Sequence, residues 1–114
     1  MLRIFLSLST IVILCFTASF TSAQNPEWTR PYEPFRIAGN LYYVGTYGLA
    51  CYLITTSQGN ILINTGLAES VPMIRRNIEA LGFRYSDIKI LLTTHAHFDH
   101  VEAWQKSKRT LAQK

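Results

Sequence analysis

All three histidines of the chain fall within six residues, His95-Ala96-His97-Phe98-Asp99-His100, and an aspartate sits among them. Neutral imidazole and carboxylate are nitrogen and oxygen donors that zinc takes, at roughly 2.0 to 2.2 Å. In an extended segment His95 and His97 face the same side, because side chains alternate with period two. Those two could grip one ion. Asp99 shares the alternation unless the loop turns there, and His100 is expected to point elsewhere. Two donors aimed one way and two another suggest a pair of neighbouring ions, as used in metal-assisted hydrolysis. A lone histidine is more often a packed or surface residue than a ligand. Clustering of every histidine around an aspartate argues for metal, and an engineered His tract would not alternate with Ala, Phe and Asp.

Something has to hold these residues in place. Ile88-Lys89-Ile90-Leu91-Leu92-Thr93-Thr94 is a short apolar run that reads as a buried strand. It delivers the cluster from its carboxyl end, where open α/β sheets place their chemistry. Upstream, Phe35-Arg36-Ile37 and Leu41-Tyr42-Tyr43-Val44 read as strands around an Ala38-Gly39-Asn40 turn. Residues 52–55 and 61–63 flank Ser57-Gln58-Gly59-Asn60 as a second hairpin. Asn64-Thr65-Gly66 then ends the strand in turn chemistry, with Gly66 free to take positive φ. A helix follows, with Ser70 as N-cap, Pro72 in its first turn, Ile74, Ile78 and Leu81 on its apolar face, and Gly82 as its stop. Strands, a crossover helix, another strand and a site loop make an α/β fold. Residues 24–34 should run as an extended arm. Trp28, Tyr42, Tyr43 and Tyr47 are expected to pack rather than line a cleft.

A chain of 114 residues allows one domain at most. Its first 23 residues read as a secretory signal peptide: Met1-Leu2-Arg3 is a positive start, residues 4–20 are nearly all apolar or small hydroxyl, and Thr21-Ser22-Ala23 suits cleavage. The run is borderline in length for a membrane span, so a periplasmic or secreted product without a stable membrane anchor is expected. Cleavage leaves one cysteine, Cys51, in the apolar stretch 49–54. It is read as a small core residue, with no disulfide to form. The net charge of +4 comes from Arg3 and from the tail, where Lys106, Lys108, Arg109 and Lys114 face only Glu102, while residues 24–100 balance. A nucleic-acid partner is therefore not expected. The tail from Val101 shows no clear amphipathic face. With one visible helix, the mature chain buries too little for a secure core, and the sequence looks cut short.

These residues closely resemble the metallo-β-lactamases, and within them the third subclass (B-three). His95-Ala96-His97-Phe98-Asp99-His100 is similar to the superfamily's H-x-H-x-D-H, and Ile61-Leu62-Ile63-Asn64-Thr65-Gly66 to its strand-turn before the first helix. Residues 34–45 resemble the start of the exported B-three enzymes, and His100 directly after Asp99 favours this subclass over those with arginine there. The resemblance covers about Trp28 to Val101. It implies the amino-terminal part (24–101) of a four-layer αββα sandwich binding two Zn2+ per complete domain. His95 and His97 would hold the first zinc, Asp99 and His100 the second. A hydroxide oriented by Asp99 would attack a β-lactam carbonyl, giving antibiotic resistance.

Two departures qualify that expectation. Asn64 stands where the family commonly has aspartate, and no histidine follows His100 to complete either zinc. The chain is thus expected to be inactive alone. Residues 102–114 form an atypical tail, for which a one-nucleotide frameshift after Val101 is the expected cause. The competing expectations are a thioester or lactone hydrolase of the same superfamily and a non-catalytic zinc-binding fragment. No oligomeric state is assigned.

Overall fold

A computed structural model describes residues 24–112; the expected signal peptide lies outside the described residues. The strands are β1 (Phe35–Ala38), β2 (Leu41–Tyr43), β3 (Tyr52–Ile54), β4 (Asn60–Ile63) and β5 (Ile88–Leu92). The helices are α1 (Val71–Ala80), a single turn α2 (Phe98–Val101) and α3 (Trp104–Ala112), with 3-10 turns at Pro26–Trp28, Ala68–Ser70 and Tyr85–Asp87. They form one sheet in the order β1-β2-β3-β4-β5. The first four strands pair antiparallel and β5 lies parallel to β4. A parallel neighbour needs a crossover, and α1 supplies it, as the sequence predicts.

The register divides the sheet into two unlike faces. Tyr42 stands opposite Leu53, Leu53 opposite Leu62, and Leu62 opposite Leu91. This row packs under the helices: Leu53 and Leu62 are fully buried with Val44, Cys51, Ile74, Ile78, Tyr85 and Ile88, edged by Tyr42, Leu81, Phe83, Leu91 and Leu111. The alternate rows, Tyr43-Tyr52-Ile63-Leu92 and Leu41-Ile54-Ile61-Ile90, point the other way. None of those side chains is buried, and Ile90 and Leu92 are 48% and 46% exposed. Phe35 continues the open face at β1, stacked on Tyr43.

β5 was expected to be a buried strand, and only Ile88 is. The strand lies at the sheet's edge, and its Ile90 and Leu92 fall on the open face. An irregularity between the Asn60–Ile88 and Ile61–Ile90 pairs puts Ile88 on the helix side with Leu91, which is only half-buried.

The start of α1 differs from expectation as well. Ser70 holds the N-cap position of α1 as expected but does not cap it: it has helical backbone angles (φ −81°, ψ −14°) and its side chain makes no capping bond. The 3-10 turn at Ala68–Ser70 feeds straight into α1, so the extended residue that opens the helical stretch is Leu67. The Glu102 carboxylate accepts the Ala68 N–H at 3.1 Å, satisfying one of the free donors of a helix start. Gly82, at φ +89°, ends the helix as expected.

The tail also departs from the reading of its sequence, because it does present a face. Ala103 and Ser107 are buried, and Leu111, one turn further on, packs against the core. That stripe recurs every four residues, the helical period, but two of its members are small and one is polar. Lys106 Nζ reaches back to the Ala68 carbonyl at 3.0 Å, so α3 and the start of α1 are tied together.

A buried amide that the sequence did not single out joins α1 to the strands. Asn77 Nδ2 donates to the carbonyls of Val44 (3.0 Å), Gly45 (3.2 Å) and Tyr32 (3.3 Å). Gly45 is needed where it stands, since a Cβ there would overlap the Leu49 carbonyl and lie 2.6 Å from the Cys51 nitrogen.

Candidate metal centre

The chain leaves the sheet at Leu92 and passes through Thr93 and Thr94 into the histidine loop. His97 has extended angles (φ −69°, ψ 145°) and opens the turn α2, closed by the His100 N–H to His97 carbonyl bond at 3.0 Å. That turn changes where His100 goes. Simple alternation sends it away from the pair, whereas its ring centroid lies 4.1 Å from that of His95. His95 and His97 are 4.7 Å apart by centroids, with their planes nearly perpendicular. Asp99 Oδ2 lies 3.2 Å from His100 Nε2, and these two side chains are only 20% and 19% exposed. His95 and His97 are exposed.

The cradle of the loop is the turn Asn64-Thr65-Gly66. Asn64 donates its N–H to the Leu92 carbonyl at 2.8 Å, extending the β4–β5 ladder one step. The Thr65 N–H and hydroxyl both reach the His100 carbonyl, at 3.0 and 3.2 Å. The Gly66 carbonyl accepts from the Ala103 N–H at 3.2 Å. Asn64 (φ +63°) and Gly66 (φ +64°) are both left-handed. Asparagine is among the few side-chain-bearing residues that tolerate this region, which was a signal available in the sequence. Thr65, Trp28 and the Thr94–Asn64 pair hold the loop through contacts between residues far apart in the chain, which no local pattern announces.

Trp28, on the amino-terminal arm, packs edge-on against Phe98 with ring centroids 5.8 Å apart. Cys51 lies beside Gly66 of the Asn64-Thr65-Gly66 turn and is 1% exposed. Burial pushes its thiol up to about 12. A thiol so held is neither nucleophile nor ready ligand, in keeping with its reading as a core residue. Tyr43 is likewise raised to about 12, first by burial and then by Cys51 and the neighbouring Tyr52 and Tyr32.

Three imidazoles and a carboxylate at one end of the sheet are a donor set of the kind zinc accepts. Among the described residues no three His, Cys, Asp or Glu side chains close on one point as a complete cage. The chemistry of the donors fits zinc, but their side chains are not gathered at one point.

The structure is thus an α/β sheet backed by helices on one face, with a His/Asp loop at the carboxyl end of its parallel strand. The chain belongs to the metallo-β-lactamase superfamily, whose family model matches residues 44–111. It is similar to the class B3 di-zinc metallo-β-lactamase LRA-12 from an Alaskan soil metagenome, at 60% identity and TM-score 0.77 over 82% of this chain and 35% of that one. The metallo-β-lactamase GOB-18 from Elizabethkingia meningoseptica is 61% identical, with TM-score 0.78 over 84% of this chain and 36% of its own. BJP-1, a subclass B3 enzyme of Bradyrhizobium japonicum, is 48% identical, with TM-score 0.73 over 76% and 33%. The chain therefore spans about a third of the length of these structures. It supplies the amino-terminal part of their fold, and the expected subclass is borne out.

Proposed function

We propose that this chain is the amino-terminal part of a zinc-dependent β-lactam hydrolase. The observation that carries the reading is the histidine loop at the end of β5, in a chain 60% identical to a di-zinc class B3 enzyme. His95 and His97 contribute to one zinc site, Asp99 and His100 to a second. Bound zinc supplies a water of pKa about 7 and polarises a carbonyl. The chain's own part is to aim its donors and, through the Asp99 carboxylate, to orient the attacking water and accept its proton. No side chain of the chain needs to act as covalent nucleophile. Because no histidine follows His100, each site is short of donors, and the chain by itself does not turn over substrate. Export to the periplasm follows from residues 1–23, and amino-terminal sequencing of the exported product should begin at Gln24.

A chimera tests the activity. Residues 24–101 joined to the remainder of GOB-18 should hydrolyse nitrocefin, and should lose that activity with a chelator or with His97→Ala. The unfused chain with added zinc should not hydrolyse it. A folded, zinc-loaded chimera without turnover would count against the β-lactam reading. Turnover by the chain alone would remove the proposal that it is incomplete. Sequencing of the DNA beyond the Val101 codon tests the frameshift, which requires an open shifted frame continuing the family sequence.

A further inference from the structure

β5 pairs with β4 on one side and, among the described residues, with no strand on the other. That outer side presents backbone N–H and C=O groups to whatever lies beside it. Between β5 and α3 runs a groove of about 370 Å3, walled by Ile88 and Leu91 of the strand and by Trp104 and Leu111 of the helix. Trp104 and Leu111 are seven residues apart and so share one helical face. The groove is charged at only two places. Lys89 and Lys108 line it and are exposed, and no carboxylate lines it. Among the described residues neither ammonium is paired with an acid. The Lys89 stem lies against Gly59, where a Cβ would overlap its Cγ. Lys106 and Glu102, the neighbouring charges of the tail, are both committed to the Ala68 backbone.

We propose that β5 and α3 form a docking site for an extended peptide segment of another protein, apolar at its centre and acidic at its ends. The segment adds to the sheet as a further strand beside β5. Side chains of such a strand alternate. One set enters the groove under α3, and the other lies beside Ile90 and Leu92, which carry the apolar surface onto the opposite face. Main-chain bonds along the edge supply affinity, and the alternate side chains supply choice. The flanking carboxylates meet Lys89 and Lys108. The same charge decides against a second copy of this chain. An isologous contact puts one patch on both sides, so two cationic rims would face each other. The site stands on β5 and α3 alone and is independent of zinc and of β-lactam hydrolysis.

The test pairs the chain with a fluorescein-labelled probe peptide, Glu-Asp-Val-Thr-Val-Thr-Val-Asp-Glu, read by anisotropy and by amide exchange. The peptide should bind saturably, more weakly as salt rises, and should slow exchange in segment 88–92. A version with proline at its centre lacks a donor that the ladder needs and should not slow that exchange. A version with lysine for every acid should bind about tenfold more weakly. The double variant Lys89→Glu with Lys108→Glu should reverse the preference, losing about tenfold for the acidic peptide and gaining for the lysine one. That reversal separates lost charge from lost fold, because an unfolded variant gains no partner. Equal binding of the two peptides, or binding without slowed exchange in 88–92, overturns the proposal. Binding to phosphatidylserine vesicles but not to the peptide overturns it in favour of a lipid surface. Self-association that the peptide does not displace overturns it in favour of a second copy.

Discussion

The indole of Trp28 meets the ring of Phe98 edge-on at 5.8 Å, linking the amino-terminal arm to the middle of the histidine loop. The arm is itself pinned. Gly48 and Tyr47 donate their N–H groups to the Glu27 and Arg30 carbonyls, each at 2.9 Å. The Arg30 guanidinium also lies 4.2 Å from the centre of the Tyr47 ring. Trp28 thus holds the loop from outside, while Asn64 and Thr65 hold it from the sheet. Such an aromatic pair contributes about 0.5–1.5 kcal/mol beyond its buried area. Trp28→Ala should therefore speed amide exchange in the peptide containing His97 and Phe98 by about two- to tenfold. Exchange unchanged in that peptide would mean that the arm does not restrain the loop.

Asn77 makes a second kind of link, inside the core. Asn77→Leu keeps roughly the same bulk but leaves the Val44 and Gly45 carbonyls without their donor. The expected loss is about 1–3 kcal/mol. It should be read as a lower urea midpoint at an unchanged slope. An unaffected midpoint would show that water reaches those carbonyls.

Cys51 gives a prediction in pH. Its thiol titrates at 9.0 in the ordinary state and at about 12 when folded, because burial disfavours the thiolate. A folded-state value above the unfolded one contributes stability that is fully present below pH 9.0 and is lost as pH rises through about 12. The urea midpoint of the parent should fall more steeply above pH 9.0 than that of Cys51→Ala. Parallel slopes would refute this. At neutral pH Cys51 should resist a thiol reagent until the chain is unfolded, as mapped by mass spectrometry.

The open sheet face predicts opposite effects in two settings. In the chain by itself Ile90→Lys places a charge on an exposed edge strand, a device that limits edge-to-edge association. Soluble yield should rise with no change in helix or strand content by circular dichroism. In a complete four-layer αββα sandwich the helices lie outside, so the face away from them is the one a second sheet would cover, and there a buried charge costs on the order of several kcal/mol. The chimera carrying Ile90→Lys should therefore be destabilised. A chimera as stable as its parent would mean that this face stays in water.

How much of this was visible in the sequence depends on how local each feature is. Hairpins such as 52–63 are written in alternation and turn residues within a dozen positions, and the structure reproduces them to within a residue or two. The grouping of His95 with His97 is equally local. The direction of His100 is not: it follows from a helical turn fastened to Thr65, 35 residues away, and period-two reasoning fails where the chain stops being extended. Ser70 matched the composition of a cap, yet a preceding 3-10 turn moved the start of the helix. The face of α3 went unseen because Ala103 and Ser107 bury well without being large or apolar in pattern. Burial of β5 was overestimated because an apolar run records what a strand can cover, not which neighbours it has.

The sheet's spatial order is also its sequence order. No strand has to be inserted between two already in place, and β2, β3 and β4 each join the strand made just before. Contacts of short sequence span form fastest, so the meander can assemble before β5 arrives across α1. The histidine loop is then set last, when Asn64 meets Leu92 and Thr65 meets His100. Pulse-labelled exchange during refolding should find Leu53 and Leu62 protected before Asn64 and Thr65. On this account the chain builds its scaffold in the direction of synthesis, and the chemistry is the final piece to be fastened.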